Sequence, residues 1–287
     1  MKLITGGSHC LLFIFFIVFI ITGCDKVYNK PDKFLIIAHR GGVVNDTISE
    51  NSMKGLDEAV IRGYTHIEVD ANVTKDGHVV CFHDNNLLRE TGIDQNITDL
   101  TLAEIKQIKL QKSGEYIPTF EEYCIRAAGR INLMVDVKRV EDRDLEKVIK
   151  EIDSSLTRHG LLEDALFICN RVPIYNQEKV CDWFLGRART SWRGDLQKIQ
   201  IWSMARPNPG RYHFIFNSPK DFTKDMIDGF HEMGFMVIPS VNIGHYKTGD
   251  PVKQGLVDIE KMLDWGVDGL QIDSCYDSLV FASIGKQ

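Results

Sequence analysis

Residues 66–84 read HIEVDANVTKDGHVVCFHD, a stretch that combines two strand patterns with acidic and histidine residues. It begins with a run of strand length in which Glu68 and Asp70 alternate with apolar residues, so both carboxylates lie on the same face of a strand. A second short apolar run ends in His83. Only twelve residues separate Asp70 from His83, which is too few for a strand, a helix and another strand. The stretch therefore predicts an acidic strand followed by an irregular connection to a strand that ends in histidine.

The rest of the chain alternates between strand patterns and helix patterns. Apolar runs of strand length, which suit a parallel sheet buried on both faces, lie at 34–38, 66–73, 78–82, 131–137, 165–169, 212–216, 235–241 and 269–272, with a weaker candidate at 198–202. Helical patterns lie between most of them, at 52–62, 102–108, 120–128, 144–158, 220–233 and 252–265. This alternation predicts an α/β fold. Eight strong strands favour a single (β/α)8 TIM barrel with one irregular short βα unit, and a doubly wound sheet is the alternative.

The amino-terminal segment is interpreted separately from the fold. Residues 11–21 form an unbroken apolar run that is shorter than the roughly 20 residues needed to span a bilayer, and Lys2 precedes it. The run ends in Ile21-Thr22-Gly23-Cys24, which resembles a bacterial lipobox and implies cleavage before Cys24 and lipidation of its sulfur. An ordinary signal peptide with a chance cysteine is the alternative.

The chain is thus expected to have three parts. They are a lipoprotein signal peptide over 1–23, a tether over 24–33 and one catalytic domain over 34–287. We expect an extracytoplasmic protein that is anchored to a membrane through the lipid on Cys24, on the periplasmic face or the cell surface, since several acyl chains give a stable anchor.

Composition excludes several other classes of protein. The charged fraction of 26% and the hydrophobic fraction of 44% exclude a disordered or collagen-like chain. A formal charge of −6 argues against a general nucleic-acid binder, so no nucleic-acid partner is expected. Five cysteines would remain beside a lipidated Cys24, and their odd number without a CxxC pair argues against a disulfide framework and a structural zinc site.

Three carboxylates lie within or at the end of predicted strands. In a (β/α)8 barrel the catalytic groups lie at the carboxyl ends of the strands. Glu68, Asp70 and Asp136 occupy apolar surroundings in which unpaired charges are costly to bury. They could converge on a divalent cation that prefers oxygen ligands, such as Mg²⁺ or Ca²⁺. The alternative is a structural ion-pair network inside the barrel.

Two histidines and two cationic residues also follow predicted strands. His39 and His83 could supply an acid and a base near neutral pH, although a single histidine at a strand end is more often a packing residue. Arg40 and Lys138 suit an anionic substrate that carries phosphate. A metal site, two histidines and two cations together predict cleavage of a phosphodiester. The remaining histidines, of which His245 is the least clear, are interpreted as surface or packing residues.

Ten short motifs, in this order and spacing, carry a family resemblance. They are His39-Arg40-Gly41, Glu50-Asn51, Glu68-Val69-Asp70, Thr74-Lys75-Asp76-Gly77, His83-Asp84, Leu88-Arg89, Thr91-Gly92, Ile117-Pro118-Thr119 with Glu121, Asp136-Val137-Lys138, and Gly266-Val267-Asp268-Gly269 with Asp273. Together they resemble the glycerophosphodiester phosphodiesterase family. The resemblance is dense over 34–140, thin over 170–235 and present again over 235–273.

The resemblance implies a TIM barrel that hydrolyses glycerophosphodiesters to glycerol 3-phosphate and an alcohol with the help of a divalent cation. The implied partners are a small-molecule phosphodiester and, through the anchor, a membrane. The implied roles are acid and base for His39 and His83, metal ligation for Glu68, Asp70 and Asp136, and substrate binding for Arg40, Lys138, Glu50 and Asn242, with Glu50 orienting Arg40.

The sequence departs from the family pattern at several positions. Asp136 stands where the family usually has glutamate, and Ser49 stands where it usually has proline. Pro239-Ser240-Val241-Asn242 replaces a Trp-Thr-Val-Asn motif whose tryptophan helps to shape the substrate pocket. Residues 170–217 do not align, and a lid or loop and a surface decoration are equally open interpretations.

These departures leave two alternatives to the implied function. The first is the same chemistry on a lysophospholipid, glycerophosphoinositol or a sugar phosphodiester. The second is a surface binding protein without catalysis, for which Asp136 is the one concrete indication.

Overall fold

The computed structural model describes residue 31 and residues 33–138, 140–169, 179–180, 182–192, 196–204 and 209–285. The predicted signal peptide over 1–23, Cys24 and most of the predicted tether lie outside the described residues. Within the described ranges, no helix has both the length and the apolar character that crossing a membrane requires.

A sheet of nine strands forms the centre of the domain. The strands are β1 (Leu35–Ala38), β2 (His66–Val73), β3 (Val79–Cys81), β4 (Asn132–Val137), β5 (Leu166–Ile168), β6 (Arg189–Trp192), β7 (His213–Ile215), β8 (Ser240–Val241) and β9 (Gly269–Ile272). Eight of them are parallel, in the order β7-β6-β5-β4-β2-β1-β9-β8. Strand β3 pairs with β2 alone and is antiparallel to it.

The two edges of this parallel sheet meet just before β8. The amide of Ile215 in β7 donates to the carbonyl of Met236 at 2.8 Å, and the amide of Ile238 donates back to Ile215 at 2.8 Å. On the other side, the amide of Asp268 donates to the carbonyl of Val237 at 3.0 Å. The segment that enters β8 therefore lies between β7 and β9, and the eight parallel strands close into a (β/α)8 barrel, as predicted.

Helices cover the outside of the barrel. They are α1 (Met53–Arg62), α2 (Leu88–Thr91), α3 (Leu102–Ile105), α4 (Phe120–Ala127), α5 (Asp142–Arg158), α6 (Leu196–Ser203), α7 (Lys224–Glu232), α8 (Pro251–Asp264) and α9 (Asp277–Ile284). Helix α1 begins where the Ser52 hydroxyl accepts the Gly55 amide at 3.0 Å, and ends at Gly63 in the left-handed conformation. The six predicted helices are all present.

The alternation of side chains along the strands creates two apolar layers. Ile37, Met134 and Phe214 belong to a cluster inside the barrel, whereas Ile67 and Val69 belong to a larger cluster between the sheet and the helices. Because neighbours on β2 point to opposite faces, its acidic side chains project into the barrel interior.

Two strands differ from the sequence-based expectation. The run at 78–82 forms β3, which folds back on β2 outside the barrel, and the eighth barrel strand is β6, which was not predicted. The weak strand candidate at 198–202 is wrong, since it lies inside helix α6. Strand β6 has no apolar run because its buried centre is Thr190-Ser191, so the hydrophobic pattern gave no signal.

The described part of residues 170–217 is ordinary barrel, which corrects the interpretation of this region as a lid or decoration. It supplies β6, α6 and β7. Trp183 and Arg187 bind Asp153 of helix α5 at 2.8 and 2.7 Å on the outside of the barrel. The sequence argues against a disulfide framework, and Cys81, Cys124, Cys169 and Cys275 form no disulfide with one another, whereas Cys181 lies outside the described residues.

Candidate active site

Register between β2 and β4 brings the three predicted metal ligands together. Asp70 of β2 and Asp136 of β4 are directly paired across the two strands, and Glu68 lies two residues before Asp70 on the same face. All three residues are buried, and one carboxylate oxygen of each lies within 4.8 Å of the others. The structure therefore assembles the acidic cluster that the sequence predicts.

Two backbone amides in the loop after β1 hold Glu68 in place. The backbone amide of Arg40 donates to Glu68 Oε2 at 2.6 Å, and the amide of Gly41 donates to the Glu68 carbonyl at 2.6 Å. Arg40 adopts a φ of +56°, which is uncommon for a residue with a side chain. At Gly41 a Cβ atom would come within 2.3 Å of Asn51 Cα, so only glycine fits this close approach.

Asp70 is held by an amide and an ammonium group. Asn51 Nδ2 donates to Asp70 Oδ2 at 2.7 Å, and the Asp70 amide donates back to Asn51 Oδ1 at 3.0 Å. Burial alone would raise the pKa of Asp70, but the charges of Lys138 and His83 outweigh it and hold the pKa below its ordinary value. The motif Glu50-Asn51 alone indicates no role for Asn51, and its paired hydrogen bonds with Asp70 show that it positions this carboxylate.

Lys138 lies among the carboxylates. Its Nζ is 2.5 Å from Asp70 Oδ1 and 2.6 Å from Asp136 Oδ2, and the side chain is buried. Burial would lower the pKa of Lys138, but Asp70 and Asp136 raise it above its ordinary value. Lys138 therefore stays charged and bridges Asp70 and Asp136, two of the proposed metal ligands. The sequence predicts substrate binding for Lys138 and does not indicate this bridge.

His39 is oriented by the chain that follows β9. Its Nδ1 lies 2.6 Å from Asp273 Oδ1, and the Ile243 amide donates to the other oxygen of Asp273 at 2.7 Å. Burial would raise the pKa of Asp273, but the hydrogen bond and charge of His39 lower it. An ionised Asp273 accepts a proton from Nδ1, which leaves Nε2 of His39 as the basic nitrogen.

His83 has the same arrangement with Asp84. Its Nδ1 lies 2.6 Å from Asp84 Oδ1, and Arg89 Nε donates to Asp84 Oδ2 at 2.6 Å. Burial lowers the pKa of His83. A proton on Nδ1, facing Asp84, leaves Nε2 as the nitrogen that can accept a proton.

Arg89 lies beside the site and joins Glu50, which also binds Arg40, to Asp84. Its guanidinium donates to Glu50 at 2.5 and 3.1 Å, and Glu50 Oε2 also accepts Arg40 Nη1 at 2.9 Å. Glu50 thus orients Arg40, as the resemblance implies, and it does so within a network that reaches Asp84. The motif Leu88-Arg89 alone indicates no role for Arg89, and only the fold shows that it joins Glu50 to Asp84, the carboxylate that binds His83.

A cavity of about 230 Å³ opens over the acidic cluster. Six predicted site residues line it, namely His39, Glu68, Asp70, His83, Asp136 and Asn242. Arg40, Glu50 and Lys138 do not line it and lie around or beneath it. The remaining lining residues are Ile168, Phe216, Asn217, Ser218, Lys220, Asp221, Ser240, His245 and Gln271.

The far wall of the cavity differs from the sequence-based interpretation at two positions. His245, interpreted as a surface or packing residue, lines the cavity instead, because a short turn over Ile243–His245 carries it back over the barrel. At the departure from the family motif, Ser240 lines the cavity and its hydroxyl donates to Gln271 Oε1 at 2.5 Å. Ser240 stands at the threonine of that motif, whereas Pro239, at the position of the tryptophan, is buried and is not among the residues that line the cavity.

The acidic cluster fits a hard divalent cation. Glu68, Asp70 and Asp136 face one ammonium group, so two negative charges would stay uncompensated if all four groups were ionised. Burial and the two neighbouring carboxylates raise the pKa of Glu68 well above its ordinary value. A cation that prefers oxygen ligands would remove this repulsion, so the donor set suits Mg²⁺ or Ca²⁺.

The fold and site define a TIM-barrel phosphodiesterase, and comparisons place the chain in one family of that class. Residues 39–179 match the glycerophosphoryl diester phosphodiesterase family. The chain is 38% identical over 252 residues to the glycerophosphodiester phosphodiesterase of Caldanaerobacter subterraneus subsp. tengcongensis, which covers 84% of this chain and 94% of that protein. This chain belongs to the glycerophosphodiester phosphodiesterase family, whose members are phosphoric diester hydrolases.

Other relatives match in part or in fold. Human lysophospholipase D GDPD1 is 31% identical over 157 residues, which span 54% of this chain and 46% of that protein, so the match covers about half of the human relative. An Oleispira antarctica phosphodiesterase, solved in complex with the product sn-glycerol-3-phosphate, has a TM-score of 0.67 at 20% identity and covers 88% of this chain and 96% of its own. A Parabacteroides distasonis glycerophosphodiester phosphodiesterase has a TM-score of 0.68 at 20% identity, with 89% and 100% covered. These structures support the barrel fold.

Proposed function

We propose that this protein hydrolyses glycerophosphodiesters to sn-glycerol 3-phosphate and an alcohol with the help of a divalent cation. The observation that carries the proposal is the arrangement of His39 and His83, which line one cavity with the acidic cluster and are each held at Nδ1 by a carboxylate. Family membership supports the reaction class, and the product in the Oleispira structure supports the glycerol 3-phosphate end of the substrate.

The two histidines supply the proton transfers in this proposal. Because Asp273 and Asp84 hold the Nδ1 protons, Nε2 of each ring is the atom that exchanges protons with the substrate. One ring accepts a proton from the attacking hydroxyl, and the other, in its protonated form, donates one to the departing alkoxide. The attacking hydroxyl belongs to water or to the glycerol C2 carbon, and in either case the net reaction adds one water to the diester.

The charged residues of the site stabilise the phosphate. Glu68, Asp70 and Asp136 would hold the cation, which when bound neutralises the developing charge on the phosphate oxygens. Arg40, beside the cavity, would contact the phosphate, and Lys138 would contribute its positive charge from between Asp70 and Asp136. Glu50 and Arg89 keep the Arg40 guanidinium in place, since a preoriented guanidinium costs less to bring to an anion.

Hydrolysis of sn-glycero-3-phosphocholine tests this proposal. We expect release of choline and sn-glycerol 3-phosphate, loss of activity in EDTA and recovery with excess Mg²⁺ or Ca²⁺. Glu68→Gln should lower kcat/KM by about 10²-fold or more, while Glu146→Gln, at an exposed position of helix α5, should leave it unchanged. Release of phosphocholine and glycerol, or full activity after chelation, would contradict the proposal.

Lysophospholipids are a second candidate substrate class. The human, mouse and rat relatives that match part of the chain are lysophospholipase D proteins. Ile243 follows the cavity-lining Asn242 in sequence and is 49% exposed, so it offers an apolar surface to an acyl chain. A panel of glycerophosphocholine and lysophosphatidylcholine discriminates between the two, and a higher kcat/KM for the acylated diester would favour this candidate.

We also propose that Cys24 carries a lipid that anchors the enzyme outside the cytoplasm. The support is the lipobox-like Ile21-Thr22-Gly23-Cys24 after the apolar run of residues 11–21. Radiolabelled palmitate should be incorporated into the full-length chain in bacterial cells, and Cys24→Ala should abolish the labelling and release the protein from membranes. Equal labelling of both proteins would contradict the proposal.

A further inference from the structure

Helix α4, on the outside of the barrel, contacts the loop after β1 through one hydroxyl group. Tyr123 of α4 is fully buried in the apolar layer between the sheet and the helices, and its Oη donates to the carbonyl oxygen of Gly41 at 2.9 Å. Gly41 follows His39 and Arg40 directly, yet Tyr123 is not among the residues that line the cavity. The phenol therefore acts on this loop from outside the cavity.

The loop that Tyr123 contacts has an unusual backbone. Arg40, Gly41 and Gly42 adopt φ values of +56°, +77° and +116°, so three consecutive residues lie in the left-handed region. Such a conformation is costly for a residue with a side chain and persists only when the contacts around it hold it. The Arg40 carbonyl accepts the Asn51 amide at 2.8 Å, which fixes one peptide group of the loop.

The next carbonyl of the loop depends on the phenol. Gly41 is buried, and among the described residues Tyr123 is the only hydrogen-bond donor to its carbonyl oxygen. Without the hydroxyl this carbonyl would be buried without a partner, and a buried unpaired carbonyl is costly. The loop would then relieve that cost by moving the Gly41 peptide group.

Movement of this part of the loop would reach the acidic cluster. The Arg40 amide donates to Glu68 Oε2 at 2.6 Å, and the Gly41 amide donates to the Glu68 carbonyl at 2.6 Å. Both donors belong to residues adjacent to, or part of, the peptide group that Tyr123 holds. A displaced Gly41 would therefore shift the two amides that fix the backbone and the carboxylate of Glu68.

Tyr123 is suited to be a fixed donor. Its ring packs in the same apolar cluster as Val69 and Ala71, which alternate with Glu68 and Asp70 along β2. Burial raises the pKa of Tyr123 well above its ordinary value, and the charges of Glu68 and Asp70 raise it further. The phenol therefore keeps its proton and remains a donor to Gly41.

We infer that Tyr123 is a positioning residue for the cation site, because its hydroxyl holds the Gly41 carbonyl and thereby keeps the Arg40 amide on Glu68. The inference rests on the proposed function for the cation and adds a determinant of cation affinity that lies in an outer helix. A hydrogen bond that only stabilised the fold would contribute to Tm and leave cation affinity unchanged.

Calorimetric titration of the full chain with Mg²⁺ and with Ca²⁺ tests the inference. Tyr123→Phe removes the hydroxyl and keeps the ring, so the variant should fold, and we expect the Kd of the cation to rise about tenfold. Tyr64→Phe is the matched control. Tyr64 is also buried, its Oη lies 3.4 Å from Asp277 Oδ2, and it lies in the loop before β2, at the other ends of the strands. This control should change the Kd by less than about twofold, even if it lowers Tm.

Hydrogen exchange of the metal-free proteins locates the effect. Amides within residues 39–43 should exchange faster in Tyr123→Phe than in wild type and Tyr64→Phe, because the loop has lost one of its contacts. An unchanged Kd in Tyr123→Phe, an equal rise in both variants, or unchanged exchange over residues 39–43 would each overturn the inference alone. A wild type that bound neither cation would overturn the proposed cation site and this inference together.

Discussion

At the scale of single residues, the site depends on carboxylates that fix the tautomers of two histidines. The positions of His39 and His83 could be predicted because both follow apolar strand runs. The role of Asp273 could not, because a carboxylate 234 residues away in sequence is adjacent only after the barrel has closed. Asp84 is next to His83 in sequence, but only the fold shows that its carboxylate turns toward Nδ1 of the ring. Lys138 shows the same limit, since its ion pairs with Asp70 and Asp136 depend on strand register.

Asp273→Asn should reverse the tautomer of His39. The Ile243 amide donates to Asp273 Oδ2, so in the variant the amide oxygen stays on Ile243 and the amide nitrogen faces His39 Nδ1. Nδ1 must then accept, and the proton moves to Nε2, the atom needed for catalysis. We expect kcat to fall by about 10²-fold or more with KM little changed.

Steady-state kinetics on glycerophosphocholine measures this effect. Asp94→Asn, at an exposed position, is the control and should leave kcat unchanged. An Asp273→Asn enzyme with kcat within twofold of wild type would show that the tautomer of His39 is not set by this carboxylate.

At the scale of elements, the sequence predicted the strands that are apolar and missed the one that is polar. Strand β6 is recognised only by its pairing with β5 and β7, because Thr190 and Ser191 are buried without forming an apolar run. Strand β3 was counted as a barrel strand because its apolar run is real, but it packs against a separate small cluster that includes Phe82. Hydrophobic patterns report burial, and they do not report which strand is the neighbour.

Helix α4, which leads into acidic strand β4, should be weakened by loss of its amino-terminal cap. The Thr119 hydroxyl accepts the Glu122 amide at 3.1 Å, and the Glu122 carboxylate accepts the Thr119 amide at 2.8 Å. Thr119→Ala should lower the free energy of unfolding by about 1 kcal/mol, as measured by urea denaturation. Thr119→Ser keeps the hydroxyl and should lose much less, and an equal loss in both variants would exclude the cap as the cause.

The contact between helix α7 and the start of β9 should make stability depend on pH. Asp268 accepts the Val237 amide at 2.8 Å and lies 3.0 Å from His231 Nε2, and burial raises the pKa of Asp268 to about 7. A carboxyl with a raised folded-state pKa binds its proton more tightly when folded, so Tm should fall as pH rises from about 4 to about 7. Asp268→Asn keeps an acceptor for Val237 and should remove this part of the pH dependence.

A His231→Gln background controls for the titration of the neighbouring His231 ring. In His231→Gln the only titratable partner in direct contact with Asp268 among the described residues is gone, so adding Asp268→Asn isolates the carboxyl. If the slope of Tm between pH 4 and pH 7 is the same with and without Asp268, the carboxyl does not carry the proton.

At the scale of the whole molecule, the overall negative charge is compatible with an anionic substrate because the charges are distributed unevenly. The chain has a formal charge of −6, yet Arg40, Arg89 and Lys138 surround the cavity and three of the acids are committed to one cluster. The class of reaction could be predicted from the carboxylate, histidine and cationic residues at the ends of the predicted strands. The shape of the substrate wall could not, because it depends on a turn that returns His245 to the cavity.

Binding of the cation should stabilise the whole domain. A ligand that binds only the folded state at about a hundred times its Kd contributes about 2.7 kcal/mol, which for a domain of this size is a rise in Tm of about 5–10 °C. We expect this rise with Mg²⁺ or Ca²⁺ in wild type and little of it in Glu68→Gln. An equal rise in both proteins would place the cation outside the cluster of Glu68, Asp70 and Asp136.

Acid–base catalysis by His39 and His83 beside the acidic cluster is the core of the proposed function. The most direct test is the rate of sn-glycerol 3-phosphate release from glycerophosphocholine by wild type, His39→Ala and His83→Ala, each saturated with the same cation. We expect each variant to fold, to bind the cation and to lose at least about 10²-fold in kcat. Release of sn-glycerol 3-phosphate by both histidine variants at rates close to that of wild type would contradict acid–base catalysis by these residues.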